Sequence, residues 1–275
     1  MRLRVHIGGR DWWVDEATGH DATLAFDPAL GRGRAFGLRA TDESAVDIGG
    51  GRQLRVCDGA SVDCADIALN PHGGGTHVEC VGHIVAERWT LADVPMPGLL
   101  PMTLLDIAVE ALGGSGEHAG GRSDPSDRVF TARALRTAWD ARALPGFDAA
   151  IAVRTDAAMA LPADHDWSGG NPPYPTAEAM AWLASLPVRV LLLDLPSLDR
   201  EDDGGTTPNH RTYWGLPPGA RTLAEVAHPA RLVCELARFA EAVPAGAWLL
   251  RLDVAPIAAD AAPARVRLLP VTEII

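Results

Sequence analysis

Lysine is missing from this 275-residue chain: all 24 Lys+Arg positions are arginine. Schiff-base and pyridoxal-phosphate chemistry therefore have no amine to work through. Cysteine is scarce, and Cys57, Cys64, Cys80 and Cys234 form no Cys-x-x-Cys pair. No signal-peptide pattern follows the charged opening Met1-Arg-Leu-Arg4, so free thiols in a reducing cytoplasm are expected. No apolar run reaches the ~20 residues of a membrane span. Positive charge is also short: the net charge is -12, which provides no cationic footprint for nucleic acid or an anionic membrane. A small molecule is the expected partner. Three catalytic signatures are absent as well, namely the HExxH helix, the Walker loop and a Gly-x-Gly-x-x-Gly turn after a strand.

What is present is concentrated in His72-Gly-Gly-Gly-Thr-His-Val-Glu-Cys-Val-Gly-His83, which holds three of the nine histidines and a carboxylate. If Thr76 to His83 is extended, His77, Glu79 and His83 share one face, and Val78, Cys80 and Gly82 take the other. The glycines allow a sharp turn that could return His72 to the same point. Burying a carboxylate beside several imidazoles is costly unless the groups are paired or coordinate an ion, so a metal centre is the preferred reading over a hydrogen-bonded cluster. A His-Gly-Gly-Gly loop also supplies oxyanion-hole amides in some serine esterases, but those need a Gly-x-Ser-x-Gly elbow. Gly113-Gly-Ser115-Gly-Glu117 lacks the last glycine.

With 47% hydrophobic residues the chain can bury a large core. Short strands are predicted over 2–7 and 11–14, and strands over 102–111, 149–154, 188–193, 248–254 and 266–269. Thr131 is placed to cap a helix to about Arg142, Thr176 a second through Leu186, and Pro229 to open a third to about Ala242. Residues 113–128 read as a surface loop. Strands and helices intermix without strict alternation or internal repeats, which points to one mixed α/β domain over 1–275.

These residues resemble the cyclase family of metal-dependent hydrolases, which includes bacterial kynurenine formamidase and isatin hydrolase. The family hallmark is His-x-Gly-Thr-His-x-Asp-x-Pro-x-His. Gly75-Thr76-His77 and His83 keep its mutual spacing, and His72 supplies the first histidine. One extra glycine follows His72, Glu79 replaces Asp and Val81 replaces Pro, as in a divergent branch. Asp194-Leu-Pro196-Ser197-Leu-Asp199 looks like the family's Asp-x-Pro-Ser-x-Asp segment, preceded by a helix-like stretch from Pro172 to Leu183. The likeness runs from about residue 65 to the C-terminus, with a divergent N-terminal part over 1–64.

The resemblance implies a mixed α/β fold with a swivelling β/β/α-type core and a homodimer or higher homo-oligomer. It implies one or two divalent ions, zinc or manganese, held by His72, His77 and Glu79 and completed by His210 and Glu225, with His83 as proton donor and acceptor. The chemistry is consistent without the family name. An ion bound by imidazole and carboxylate lowers the pKa of water toward ~7 and polarises a carbonyl. His83 can take the proton and return it to the leaving atom. Hydrolysis of an amide, formamide, cyclic amide or lactone follows. A non-catalytic, metal- or ligand-binding member of the same fold is the alternative. Asp194 and Asp199 are expected to hold the Pro196 turn rather than touch an ion.

Overall fold

Alternation of apolar residues along the strands decides the architecture. The computed structural model describes residues 2–275. Seven strands close on themselves: β1 (His77–Glu79), β2 (Leu99–Ile107), β3 (Ala150–Thr155), β4 (Val190–Leu193), β5 (Leu232–Glu235), β6 (Gly246–Val254) and β7 (Ala261–Glu273). Their order around the ring is β7-β6-β2-β3-β4-β5-β1, and β1 pairs back onto β7. The β2-β3-β4-β5 segment is parallel, and β1, β6 and β7 join it antiparallel. Closure removes the unpaired edges that an open sheet would expose.

Every second side chain points into the barrel. Val78, Met102, Leu104, Ala150, Ala152, Val190, Leu192, Leu232, Cys234 and Leu250 fill the interior. Their neighbours Leu105, Ile151, Val153, Leu191, Leu193 and Val233 face outward into a second core. That outer core is covered by three helices: α1 (Ala132–Arg142), α2 (Ala177–Ser185) and α3 (Pro208–Trp214). Each connects successive parallel strands, as a parallel pair requires. α1 and α2 start where their caps predict: Thr131 accepts from the Ala134 amide and Thr176 from the Ala179 amide. α2 buries Met180 and Leu183, and α3 buries Tyr213 and Trp214, against the outward strand face.

The mixed α/β expectation is borne out. The expected helix from Pro229 is not. Residues 232–235 form β5, because Leu232 and Cys234 face the barrel interior while Val233 and Glu235 face out, a period of two rather than 3.6. Leu236 then leaves the strand with a left-handed φ of 53°. The last strand is much longer than 266–269, because its end also pairs with Arg10–Asp15 of an N-terminal hairpin. That hairpin, Arg2–Ile7 with Arg10–Asp15, turns at Gly8-Gly9, both at positive φ. A separate two-stranded sheet, Asp42–Ala45 with Ala65–Ala68, projects from the barrel and leaves Ile48, Val56, Val62 and Ile67 exposed. All four cysteines are free; Cys57 and Cys64 are exposed, and Cys80 and Cys234 are buried. Among the described residues no helix is long and apolar enough to cross a membrane.

The predicted extended run from Thr76 to His83 ends early. After Glu79 the chain enters a 3-10 turn, Val81–His83, which re-aims His83. Gly82 is packed so tightly that an added Cβ would lie 1.8 Å from the Trp89 carbonyl oxygen. Gly82→Ala is therefore expected to destabilise the protein by about 1–3 kcal/mol, by overpacking against rigid backbone. A denaturant midpoint unchanged from wild type would contradict this packing.

Candidate metal centre

The outward face of β1 carries His77 and Glu79, while Val78 between them points into the barrel. β5 lies beside it in register, with Glu235 opposite His77 and Val233 opposite Glu79. Glu235, on the same outward face, thus stands next to His77; its Oε2 is 3.4 Å from His77 Nε2. α3 delivers His210 over this patch, with Nε2 2.9 Å from Glu79 Oε1 and 3.5 Å from Glu235 Oε1. The turn Pro71–Gly74, capped by Asn70, brings His72 Nδ1 to 3.3 Å from Glu79 Oε2. The glycines there serve close packing: a Cβ on Gly74 would lie 2.4 Å from the Phe26 ring, and one on Gly75 2.6 Å from the Leu24 carbonyl oxygen. His83 stands at the rim, its ring 4.3 Å from that of His72 and 5.8 Å from that of His210.

Each imidazole is anchored on the nitrogen that faces away from the cluster. His77 Nδ1 is 3.0 Å from the Gly75 carbonyl oxygen, which can only accept. His210 Nδ1 lies 2.6 Å from Asp199 Oδ2, and Asp199 also accepts from the Asn209 amide. Asp199 therefore orients His210 from behind, as carboxylates do behind metal-binding histidines. Asp194, expected at a turn, instead accepts from the Thr155 amide and hydroxyl, and burial pushes its carboxyl up to about 7.

The inward-facing atoms lack partners. His77 Nε2, both oxygens of Glu79 and His210 Nε2 are buried with no hydrogen bond. The 2.9 Å approach of His210 Nε2 to Glu79 is close enough, but it is not aligned as one. An orphaned buried polar group costs about 1–3 kcal/mol, more when charged. Imidazole nitrogen and carboxylate oxygen are donors suited to a zinc- or manganese-class ion, so the residues fit such a group. The donor atoms of His72, His77 and Glu79 lie within 4.8 Å of one another, as do those of Glu79, His210 and Glu235, and those of His72, His83 and Asp260.

Burial disfavours charge here, yet the mutual field of acids and imidazoles dominates. Burial raises the Glu79 carboxyl, but the neighbouring His83 and His210 outweigh it and hold it well below its usual value. Burial lowers the His210 imidazole, but Glu79, Asp199 and Glu235 carry it well above its usual value. For His72 burial likewise lowers, and the bond to Asp260 together with the nearby Glu79 carboxylate reverses it, pushing the imidazole up to about 10.

His72, His77, Glu79, His83 and His210 are thus brought together. Glu225 is not. Its carboxylate closes a capping box with Thr222 at an exposed 3-10 turn, Leu223–Glu225, and it belongs to none of the donor groups. Glu235 stands where a second acid was expected. Sequence reading missed it because the helix expected from Pro229 hid the strand alternation that presents it. Asp260, between β6 and β7, was also missed: its Oδ2 lies 3.0 Å from His72 Nε2 and 3.2 Å from His83 Nδ1, and no local pattern signals it. Trp12 packs on Phe147 at the N-terminal hairpin and does not line the site. Ser115, in the Gly113-Gly-Ser115-Gly-Glu117 segment, bonds its hydroxyl to the Leu112 carbonyl in a surface turn and does not line the site. A cavity of about 330 Å³ opens onto Glu79, His72, His83 and His210, with Phe36, Leu38 and Pro196 as its apolar wall. Phe36 holds a left-handed φ of 58°, a conformation rare for a bulky residue.

A closed α/β barrel with an outward imidazole–carboxylate cluster defines the class. The Cyclase family model matches residues 14–200, and the chain belongs to that family. No curated protein matches the chain by sequence. Among solved structures, isatin hydrolase A from Labrenzia aggregata bound to benzyl benzoate is 16% identical, with a TM-score of 0.59 over 91% of this chain and 93% of the other. An isatin hydrolase bound to the product analogue thioisatinate is 14% identical, with a TM-score of 0.59 over 93% of each chain. A predicted metal-dependent hydrolase from Bacillus stearothermophilus is 17% identical, with a TM-score of 0.56 over 92% of this chain and 98% of the other. At these identities the likeness is one of fold.

The pH dependence of ion binding follows from His72. Its folded-state pKa is raised from 6.5 to about 10, so the charged imidazole stabilises the metal-free protein fully below 6.5 and loses that effect as pH rises through about 10. A divalent ion must displace this proton. Zinc affinity measured by competition with a chelator is expected to tighten steadily across that window, with proton release on binding. A pH-independent affinity would contradict the assignment of His72.

Proposed function

We propose that this protein is a metal-dependent hydrolase that cleaves an amide, formamide, cyclic amide or lactone C–N or C–O bond. The observation that carries the reading is the set of buried, unpartnered donors on His77, Glu79 and His210 beside an open cavity. One or two divalent ions of the zinc or manganese class would be held by His72, His77, Glu79 and His210, with Glu235 in the place expected of Glu225. Such an ion, when bound, lowers the pKa of water and polarises a carbonyl.

The remaining work falls to the chain itself. His83 is partly open to the cavity and its Nε2 has no protein partner, so it can accept a proton from water as oxygen attacks the carbonyl carbon. The carbon–nitrogen or carbon–oxygen bond then breaks, and the same proton returns to the leaving atom. Asp199 keeps His210 turned toward Glu79 throughout. Phe36, Leu38 and Pro196 offer an apolar surface for the non-reacting part of a small-molecule substrate and exclude water from it. The names of the isatin hydrolases support a cyclic amide among the candidate substrates. A homo-oligomer is supported by the exposed apolar side chains of the 42–68 sheet, and a cytoplasmic setting by the four free thiols.

Metal content of protein purified without chelator, combined with turnover of N-formyl arylamines, isatin-like rings and lactones, tests the reading. At least one divalent ion per chain is expected, lost together with activity in His77→Ala. His83→Ala should keep the ion and lower kcat by about 10²–10⁴. Full occupancy without turnover of any substrate would favour the non-catalytic alternative, and a metal content unaffected by His77→Ala would sink the hydrolytic reading.

A further inference from the structure

Asp260 is the one residue in the cluster that touches two imidazoles through the same atom. Its Oδ2 lies 3.0 Å from His72 Nε2 and 3.2 Å from His83 Nδ1. The backbone around it is pinned from two sides: the Asp260 carbonyl accepts from the Cys80 amide, and the Ala259 carbonyl from the Leu91 amide, both at 2.9 Å. The carboxylate is thus fixed relative to the turn that carries His83. His77 and His210 each have a private anchor, in the Gly75 carbonyl and in Asp199. His72 and His83 share theirs.

An ionised carboxylate oxygen only accepts hydrogen bonds, so each ring nitrogen facing Asp260 must carry a hydrogen. In a neutral imidazole the other nitrogen then carries the lone pair. For His72 that nitrogen is Nδ1, which points to Glu79. For His83 it is Nε2, on the side of the ring away from Asp260.

We infer that Asp260 is a positioning residue that sets the tautomers of His72 and His83 together, holding one ready as an ion ligand and the other as a proton acceptor. Its consequence for catalysis rests on the hydrolytic reading above; the tautomers themselves do not. Metal binding and proton transfer are then coupled through one carboxylate, so losing it disturbs both.

Long-range proton–nitrogen NMR of ¹⁵N-labelled, zinc-loaded protein above neutral pH reads the tautomers directly, with His83→Gln assigning the His83 signals. His83 is expected as the Nδ1–H form, and His72 with hydrogen on Nε2 and zinc on Nδ1. In Asp260→Ala, checked for folding by circular dichroism, the Nε2–H form of His83 should appear and zinc affinity should fall about 10–100-fold, as for other residues behind a metal ligand. A wild-type His83 already in the Nε2–H form would overturn the inference without any variant. So would zinc bound at His83 Nδ1, which would make Asp260 and His83 ligands instead. The expected tautomers without turnover of any substrate would uphold the positioning role and fail the hydrolytic reading. Turnover with His83 in the Nε2–H form would do the reverse.

Discussion

Glu79 is the constraint around which the rest of this structure is arranged. Its carboxylate is 1% exposed, on a strand that is part of a closed barrel, where an unpaired negative charge would cost several kcal/mol. Glu235 and Asp199 are buried beside it and add like charge. Four imidazoles surround these acids, yet His77 Nε2, His210 Nε2 and both oxygens of Glu79 make no hydrogen bonds. Such a cluster is stable only with a positive charge among its donors, either protons shared by the histidines or a divalent ion.

The barrel makes this possible by using both sides of the same strands. On β1 and β5 the inward residues Val78, Leu232 and Cys234 complete the apolar interior, while the outward residues His77, Glu79 and Glu235 form the floor of the site. Their register is fixed by backbone pairing, so the donor atoms are held without relying on loop conformation. Loops contribute the orienting groups instead. Asp199 follows β4 and Asp260 links β6 to β7, so the site draws on segments far apart in the chain.

How much of this was legible in the sequence depended on how local the signal was. His77 and Glu79 on one face followed from a period of two, and the starts of α1 and α2 followed from Thr131 and Thr176. The third expected helix failed because Leu232-Val-Cys-Glu235 is a short apolar run that fits either period, and Pro229 tipped the reading toward a helix. That single error concealed Glu235, and the family's later acid was assigned to Glu225 instead. His83 was placed on the strand face because nothing local reveals that Gly82 must pass against the Trp89 carbonyl. Asp260 contacts residues 188 and 177 positions away, a relation that only the folded chain creates.

The central claim is that a divalent ion is held at Glu79, by the donor set it shares with His72 and His77 or the one it shares with His210 and Glu235. Anomalous diffraction at the zinc and manganese absorption edges, from crystals grown without chelator, tests it most directly. The account predicts an anomalous peak beside the Glu79 carboxylate, within reach of His72 and His77 or of His210 and Glu235. A cluster with no anomalous peak, closed instead by hydrogen bonds between His210 and Glu79, would contradict it.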